Sequence, residues 1–460
     1  MRYLNRYKEL DFLKREYNKN EASLIILYGR RRIGKTALAT EFIKDKEALY
    51  YLATEESEDI NRRLFKDVVA DYIGNDILKS ATIDKWDLIF QALSEFRPYE
   101  KKVIILDEFQ YLGKSNPAFP SIFQRIWDTI LRNKKFMVIL CGSLISMMES
   151  QTLNYSSPLY GRRTGQIELQ QIPFTYYKDF FPDKSRKGLI ELYSVTGGVP
   201  KYIELFYNNR DLFGGIKNNI LNKSSFLFEE PRYLLMNEVS EIGSYFSIIK
   251  TIAAGNHKLS KIAGSIGLKQ TGITKYLKTL IDLDILVREV PITEDLPEKS
   301  KKGLYRIKDN FINFWFKFIY PNLSFIEQGY EALVEMIIKN NIIDNHVSYV
   351  YENICKEEMW EFNKEGKWSF HFNKVGRWWD KDTEIDIVAL DTENNNIIFG
   401  ECKYTDKKMD VNIFNSLLLK ANKVSWRRNV RKEWFVLFSI NGYTDELQDL
   451  AQKRKDLLLR

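Results

Sequence analysis

Leu24-Ile25-Ile26-Leu27-Tyr28 runs directly into Gly29-Arg30-Arg31-Arg32-Ile33-Gly34-Lys35-Thr36, and the reading of the whole chain turns on this stretch. The apolar run predicts a short buried strand, and Ala37 to Ile43 has helical spacing. The eight residues between them fit G-x-x-x-x-G-K-[ST], the phosphate-binding loop. Its glycines let backbone N–H groups turn inward on phosphates, and the helix N-terminus adds partial positive charge. Lys35 is expected to reach the β- and γ-phosphates, and Thr36 to hold Mg2+ through its hydroxyl. The cradle from Gly29 to Ala37 therefore predicts an ATP site with Mg2+.

Working outward, four more strand-like runs appear at Ala48 to Ala53, Val103 to Leu106, Phe136 to Cys141 and Gln166 to Leu169. Helical segments such as Ile122 to Leu131 separate most of them, which predicts a parallel sheet covered on both faces. Val103-Ile104-Ile105-Leu106 delivers Asp107 and Glu108 at its carboxyl end, where ligands sit in such sheets. Asp107 is expected to orient Mg2+ through its water shell, and Glu108 to polarise the attacking water.

The bulk numbers set limits. At 460 residues the chain is long enough for about three domains, and 44% hydrophobic residues suit packed cores rather than disorder. A formal charge of +7 permits a nucleic-acid partner without requiring one. Cys141, Cys355 and Cys402 stand far apart and away from His257, His346 and His371, so neither a zinc site nor a disulfide framework is expected. The longest apolar runs, such as Phe311 to Tyr320 with Lys317 inside it, fall short of a membrane span. With no signal peptide in view, a cytoplasmic protein is expected.

Several motifs together resemble the archaeal ATPase family, a branch of the AAA+ and STAND-like P-loop ATPases. They are Leu4-Asn5-Arg6-Tyr7-Lys8-Glu9-Leu10, the phosphate loop, Asp107-Glu108-Phe109-Gln110-Tyr111-Leu112, Cys141-Gly142-Ser143 and Leu159-Tyr160-Gly161-Arg162-Arg163-Thr164-Gly165. The resemblance implies that Ser143 senses the γ-phosphate and that Arg162 or Arg163 is an arginine finger. The finger usually acts between subunits, which implies a homo-oligomer. It also implies that Gly198-Val199-Pro200 is a lid motif with Pro200 near the adenine.

Beyond the lid, helical spacing at Tyr245 to Ala254, Leu259 to Ser265 and Gln270 to Ile281 precedes strand-like Leu286 to Val290 and Leu304 to Ile307. Three helices and a hairpin predict a winged helix-turn-helix. Lys269, Gln270, Thr271 and Thr274 open its third helix, and Lys299, Lys301 and Lys302 lie in the wing, so a DNA partner is expected. Winged helices also serve as packing modules in AAA+ and STAND proteins.

Farther on, strands are expected at Ser369 to Phe372, Glu384 to Leu390, Ile397 to Lys403 and Trp434 to Ser439. Strand alternation puts Glu401 and Lys403 on one face and turns Cys402 into the core. Asp386 with Glu401-x-Lys403 resembles the PD-(D/E)xK nucleases, with Ile385 where the motif has proline. Glu352, on a preceding helix, matches the upstream acid of such enzymes. Asp386, Glu401 and Glu352 are then expected to bind Mg2+ or Mn2+, and Lys403 to position the attacking water. Gly376-Arg377-Trp378-Trp379-Asp380 and Gly400-Glu401-Cys402-Lys403 also look like the C-terminal domain of unknown function found in many archaeal ATPase family members.

The expected fold is α/β and multidomain. A P-loop AAA+ core (1–175) is followed by a helical lid (176–235), a winged helix (236–310), a helical linker (311–345) and a restriction-endonuclease-like α/β domain (346–460). The expected function is an ATP-hydrolysing AAA+ protein that acts on DNA and carries a metal-dependent nuclease-like domain. The alternatives are a STAND-type switch that binds DNA or a protein without cutting, and a protein–protein scaffold.

Overall fold

The computed structural model describes residues 4–209, 211–236 and 238–460. The chain divides into two compact units. The first comprises Met1–Ile172, Gly198–Glu204 and Leu234–Ser240, and the second Pro173–Gly197, Leu205–Tyr233 and Glu241–Arg460.

The first unit is built on strands β1 (Ser23–Tyr28), β2 (Ala48–Leu52), β3 (Lys102–Asp107), β4 (Phe136–Gly142) and β5 (Gly165–Glu168). They form one all-parallel sheet in the order β2-β3-β4-β1-β5. Every residue of β1, β3 and β4 is buried, which is why these runs are continuously apolar rather than alternating. Leu24, Ile26, Leu106 and Leu140 pack on one face with Phe65, Phe90 and Phe123. Ile25, Leu27, Ile105, Ile139 and Cys141 pack on the other with Leu38 and Phe42. Cys141 is therefore a small core residue.

In the second unit, helices Ile242–Ala253, Leu259–Ser265 and Gln270–Asp282 precede the antiparallel pair β6 (Leu286–Glu289) and β7 (Leu304–Ile307). A mixed sheet follows, built from β8 (Lys374–Trp379), β9 (Glu384–Asp391), β10 (Asn396–Lys403), β11 (Lys432–Ser439) and β12 (Leu457–Leu459). Its order is β12-β11-β10-β9-β8, with the β12, β11 and β10 pairings parallel and the β10, β9 and β8 pairings antiparallel. The helix Ser348–Lys364 precedes it in the chain.

One strand lies elsewhere than its composition suggests. Ser369 to Phe372 is not a strand: Asn363 holds its backbone, donating from Nδ2 to the Phe372 carbonyl (3.0 Å) and accepting the Phe372 N–H (3.2 Å). Its Phe372 is buried in ring contact with the preceding Trp368 and with Trp360. The edge strand is instead β8, through Gly376-Arg377-Trp378-Trp379. The register shifts between Gly376 and Trp378, where β9 carries the extra residue and Asp386 and Ile387 together stand opposite Arg377. The Arg377 backbone carbonyl accepts the Ile292 N–H at 2.9 Å.

The Arg377 side chain is 1% exposed and joins Glu352 (2.8 Å) to Glu289 (3.2 Å). Glu289 in turn pairs with Arg306 (3.1 Å) and Lys356 (3.5 Å). The Tyr349 ring lies under both guanidinium groups, 4.6 Å from Arg377 and 5.2 Å from Arg306. Removing the central cation leaves the Glu352 carboxylate without its partner and takes one of three cations from Glu289. Arg377→Met should therefore destabilise the second unit by about 3 kcal/mol, read from urea denaturation followed by tryptophan fluorescence. Replacing the exposed Arg186, which pairs with Glu358, should cost under about 1 kcal/mol in the same experiment.

Candidate nucleotide site and a second acidic site

The carboxyl ends of β1, β3 and β4 assemble one polar site. Because β4 lies between β1 and β3, the loop after β1 faces the acids after β3 across the end of β4, where Ser143 sits. In the loop Arg32 (φ 70°) and Gly34 (φ 93°) take the left-handed conformation. Such residues turn successive N–H groups to one side and form an anion nest. A side chain at Gly29 would strike the Leu169 carbonyl at 2.6 Å, whereas Gly34 faces only the Pro200 ring, at 3.7 Å. Lys35 is buried, and its ammonium donates to the Gly29 and Arg30 carbonyls, both at 2.8 Å. Burial lowers its pKa, while Glu108 and Asp107 pull the other way.

The buried Asp107 collects three donors: the Thr36 hydroxyl (2.9 Å) and the Tyr50 hydroxyl (2.6 Å) on Oδ2, and the Glu108 N–H (2.9 Å) on Oδ1. Thr36 and Asp107 thus converge as a hydroxyl–carboxylate pair, a donor set that fits Mg2+. Glu108 itself has φ 52°, a costly conformation for a non-glycine residue. Its carboxylate accepts the Ser143 hydroxyl (2.7 Å) and the Gln110 amide. Sequence reasoning named Thr36, Asp107, Glu108 and Ser143 but missed Tyr50 and Gln110. Gln110 stands inside a motif already quoted, two residues after Glu108.

Arg6 was also missed. Its buried guanidinium donates to the Ile33 carbonyl (3.2 Å) and to that of Gln170, tying the N-terminal head to the phosphate loop. Of the arginine-finger candidates, Arg162 pairs with Asp128 (3.2 Å), while half-buried Arg163 donates to the Tyr160 carbonyl and lies over the Tyr160 ring. Arg31 donates to the Tyr111 hydroxyl at 2.9 Å.

The second unit brings its expected acids to one region. Glu352 and Asp386 line a cavity of about 520 Å³ together with Arg306, Lys420 and Lys423. Asp386 accepts the Cys402 N–H at 2.9 Å, and burial, then Glu352 and Glu401, push its carboxyl up to about 8. Buried Glu401 pairs with Lys403 and, through both oxygens, with Lys420 (2.8 and 3.1 Å). Glu352 is engaged by Arg377. Among the described residues no group of three His, Cys, Asp or Glu side chains is placed to hold a metal ion. In this arrangement Glu352 and Glu401 are matched to protein cations and Asp386 accepts only a backbone N–H among the contacts described, a set that does not fit a divalent ion. Lys420, seventeen residues beyond Lys403 on the helix Val411–Ala421, carried no motif that could have announced it.

Comparison with known proteins follows these boundaries. Residues 3–206 match the model of an ATPase domain predominantly from Archaea, and residues 315–414 match archaeal and bacterial proteins of unknown function. An uncharacterized protein of Methanocaldococcus jannaschii, MJECL04, is 39% identical over 424 residues, covering 92% of each chain. An uncharacterized ATP-binding protein of the same organism, MJ0423, is 56% identical over 45 residues, 10% of this chain and 76% of that one. Among solved structures, the Walker-type ATPase PABY2304 of Pyrococcus abyssi is similar with a TM-score of 0.50 and 17% identity, over 68% of this chain and 96% of that one. At that identity the likeness concerns the fold. No helix among the described residues is long and apolar enough to cross a membrane.

Glu238 adds a titratable group to the nucleotide-binding unit. Burial pushes its carboxyl up to about 7, against the pull of Arg31, the Ile145 N–H, Lys35 and Arg30. The folded value lies above the ordinary 4.5, so the folded chain holds this proton more tightly than the unfolded one. Stability from this group is lost as pH rises from about 4.5 to about 7 and stays lost above. Glu238→Gln should therefore raise the thermal midpoint at pH 8.5, by the equivalent of about 1–2 kcal/mol after discounting for partial exposure. At pH 4.5 the two proteins should melt nearly together.

Proposed function

The chain belongs to the family of ATPase domains found predominantly in Archaea, and we propose an ATP-hydrolysing AAA+ protein that acts on DNA, the ATPase reading resting on that membership and the DNA reading on the exposed Lys269, Lys275 and Lys278. The observation that carries the reading is the convergence of Lys35, Thr36, Asp107, Glu108 and Ser143 at the carboxyl ends of three adjacent strands.

In this proposal the Gly29–Ala37 cradle binds the phosphates, with Arg30, Arg31, Arg32 and Ile33 supplying backbone between the two glycines. Lys35 exchanges its two carbonyl acceptors for phosphate oxygens. Thr36 and, through water, Asp107 would hold Mg2+, which would supply neutralisation of phosphate charge. Glu108 accepts a proton from the attacking water, and Ser143 links that carboxylate to the γ-phosphate. Pro200 covers Gly34 beside the nucleotide, and Arg162 or Arg163 serves a neighbouring subunit. Lys35→Ala should lose ATP affinity at least tenfold. Glu108→Gln should bind a fluorescent ATP analogue like wild type but hydrolyse ATP about a hundredfold more slowly. Equal turnover by the Glu108→Gln protein would remove Glu108 from its role.

We read the three helices with β6 and β7 as a winged helix. Lys269, Lys275 and Lys278 are exposed on its third helix and its N-cap, a surface that supports duplex binding. Replacing all three should flatten the salt dependence of DNA affinity, the log–log slope falling by about 0.9 for each phosphate no longer neutralised. An unchanged slope in fluorescence anisotropy makes the module a packing element.

For the C-terminal α/β module we keep the restriction-endonuclease-like fold as a proposal, with Asp386, Glu401, Lys403 and Glu352 as its polar cluster. The pairing of Glu401 with two lysines and of Glu352 with Arg377 favours the second reading, a STAND-type switch that engages DNA or a protein without cutting. Incubation of wild type and Lys403→Ala with duplex, single-stranded and branched DNA in Mn2+ decides between them. Cleavage by wild type alone restores the nuclease, and no cleavage in any nucleotide state leaves the switch.

A further inference from the structure

Glu108 is held by two donors, of which Ser143 was expected and Gln110 was not. Gln110 is fully buried, and its Nε2 donates to the same Glu108 oxygen that accepts the Ser143 hydroxyl. The orientation of the amide follows from its partner, since the reversed amide would set Oε1 against a carboxylate oxygen. Oriented this way, Gln110 Oε1 is buried without a hydrogen-bond partner among the described residues. It lies where a side chain at Gly142 would fall, 2.5 Å from that Cβ position. A buried amide that leaves its carbonyl unpaired lowers stability, and a methionine of similar shape would avoid that cost. Packing alone therefore does not account for a glutamine here.

The backbone of Gln110 is also fixed. Its carbonyl accepts the Gln151 amide at 3.2 Å, and the Gln151 carbonyl accepts the Ser157 hydroxyl at 2.5 Å. Ser157 stands three residues before Tyr160 in the loop that carries Arg162 and Arg163. The strained backbone of Glu108 thus leads to a carboxylate with one oxygen held by two donors, the Ser143 hydroxyl and a buried amide.

We infer that Gln110 is a positioning residue for ATP hydrolysis, aiming the Glu108 carboxylate at the attacking water through its Nε2–H. This rests on Glu108 acting on that water. A carboxylate with one of its two tethers removed swings about its side-chain torsions, and misplacement of a reacting group by about 1 Å can cost a hundredfold in rate.

The test is a double-mutant cycle on the full chain with Gln110→Met and Glu108→Gln, reading kcat, KM for ATP and the thermal midpoint. Gln110→Met should keep or raise the midpoint, leave KM within twofold and lower kcat at least tenfold. In the Glu108→Gln background it should lower kcat no further, because the group it positions is already disabled. Gln110→Leu, which also lacks the donor, should lower kcat as well and covers the case in which the methionine variant does not fold. A kcat within twofold of wild type in a folded variant overturns the inference, as does an equal loss in both backgrounds. Wild-type turnover by Glu108→Gln alone would instead sink the role of Glu108.

Discussion

Burial of both faces of β1, β3 and β4 is the constraint from which the nucleotide-binding unit follows. A parallel strand with helices on either side can tolerate polar groups only where its backbone leaves the sheet. Glycine and lysine therefore follow β1, two acids close or follow β3, and a serine follows β4. Because β4 separates β1 from β3, the lysine and the carboxylates meet across the end of a third strand rather than in direct contact. Lys35 and Asp107 consequently satisfy themselves through different partners, one on loop carbonyls and the other on Thr36 and Tyr50. Each of those partners is weaker for its group than a phosphate or a divalent ion would be, so the site is polar, hydrogen-bonded and still ready to exchange.

The second unit answers a similar problem in the opposite way. Its acids are also buried near strand ends, yet they are matched to side-chain cations. Glu401 has two lysines, Glu289 has Arg306, Arg377 and Lys356, and Glu352 has Arg377. A carboxylate paired at 2.8 Å with an ammonium gives up much of the field that would draw in a metal. A divalent ion would have to displace Lys420 from both oxygens of Glu401, or enter while the lysine swings outward. The same chemical letters, acid and lysine, therefore have different meanings in the two units.

How much of this was legible in the sequence depended on where each partner lies along the chain. Gly29 to Thr36, Asp107-Glu108 and the buried strands could be read because residue type, spacing and strand ends all point to one chemistry. The edge strand β8 could not, since two tryptophans beside glycine and arginine carry no alternation, while the bulge in β9 opposite Arg377 is visible only once the two strands are paired. Ser369 to Phe372 read as a strand because it is apolar, but the amide of Asn363 claims its backbone. Tyr50, Lys420 and Glu289 were invisible for a simpler reason. Their roles are defined by partners 57, 19 and 88 residues away, a range at which sequence gives identities without pairings.

That distinction bears on how far a motif can carry a function. The phosphate loop is self-contained: backbone N–H groups, a helix N-terminus and one lysine within eight residues define what they bind, whatever surrounds them. A carboxylate pair with a lysine is not self-contained, because its affinity for a metal depends on every other cation within reach. Lys420 and Arg377 alter the C-terminal site without altering its motif, and two chains with identical Asp386, Glu401 and Lys403 could differ in chemistry through those two positions alone. The counter-charges, more than the acids, decide what the carboxylates of this module can bind.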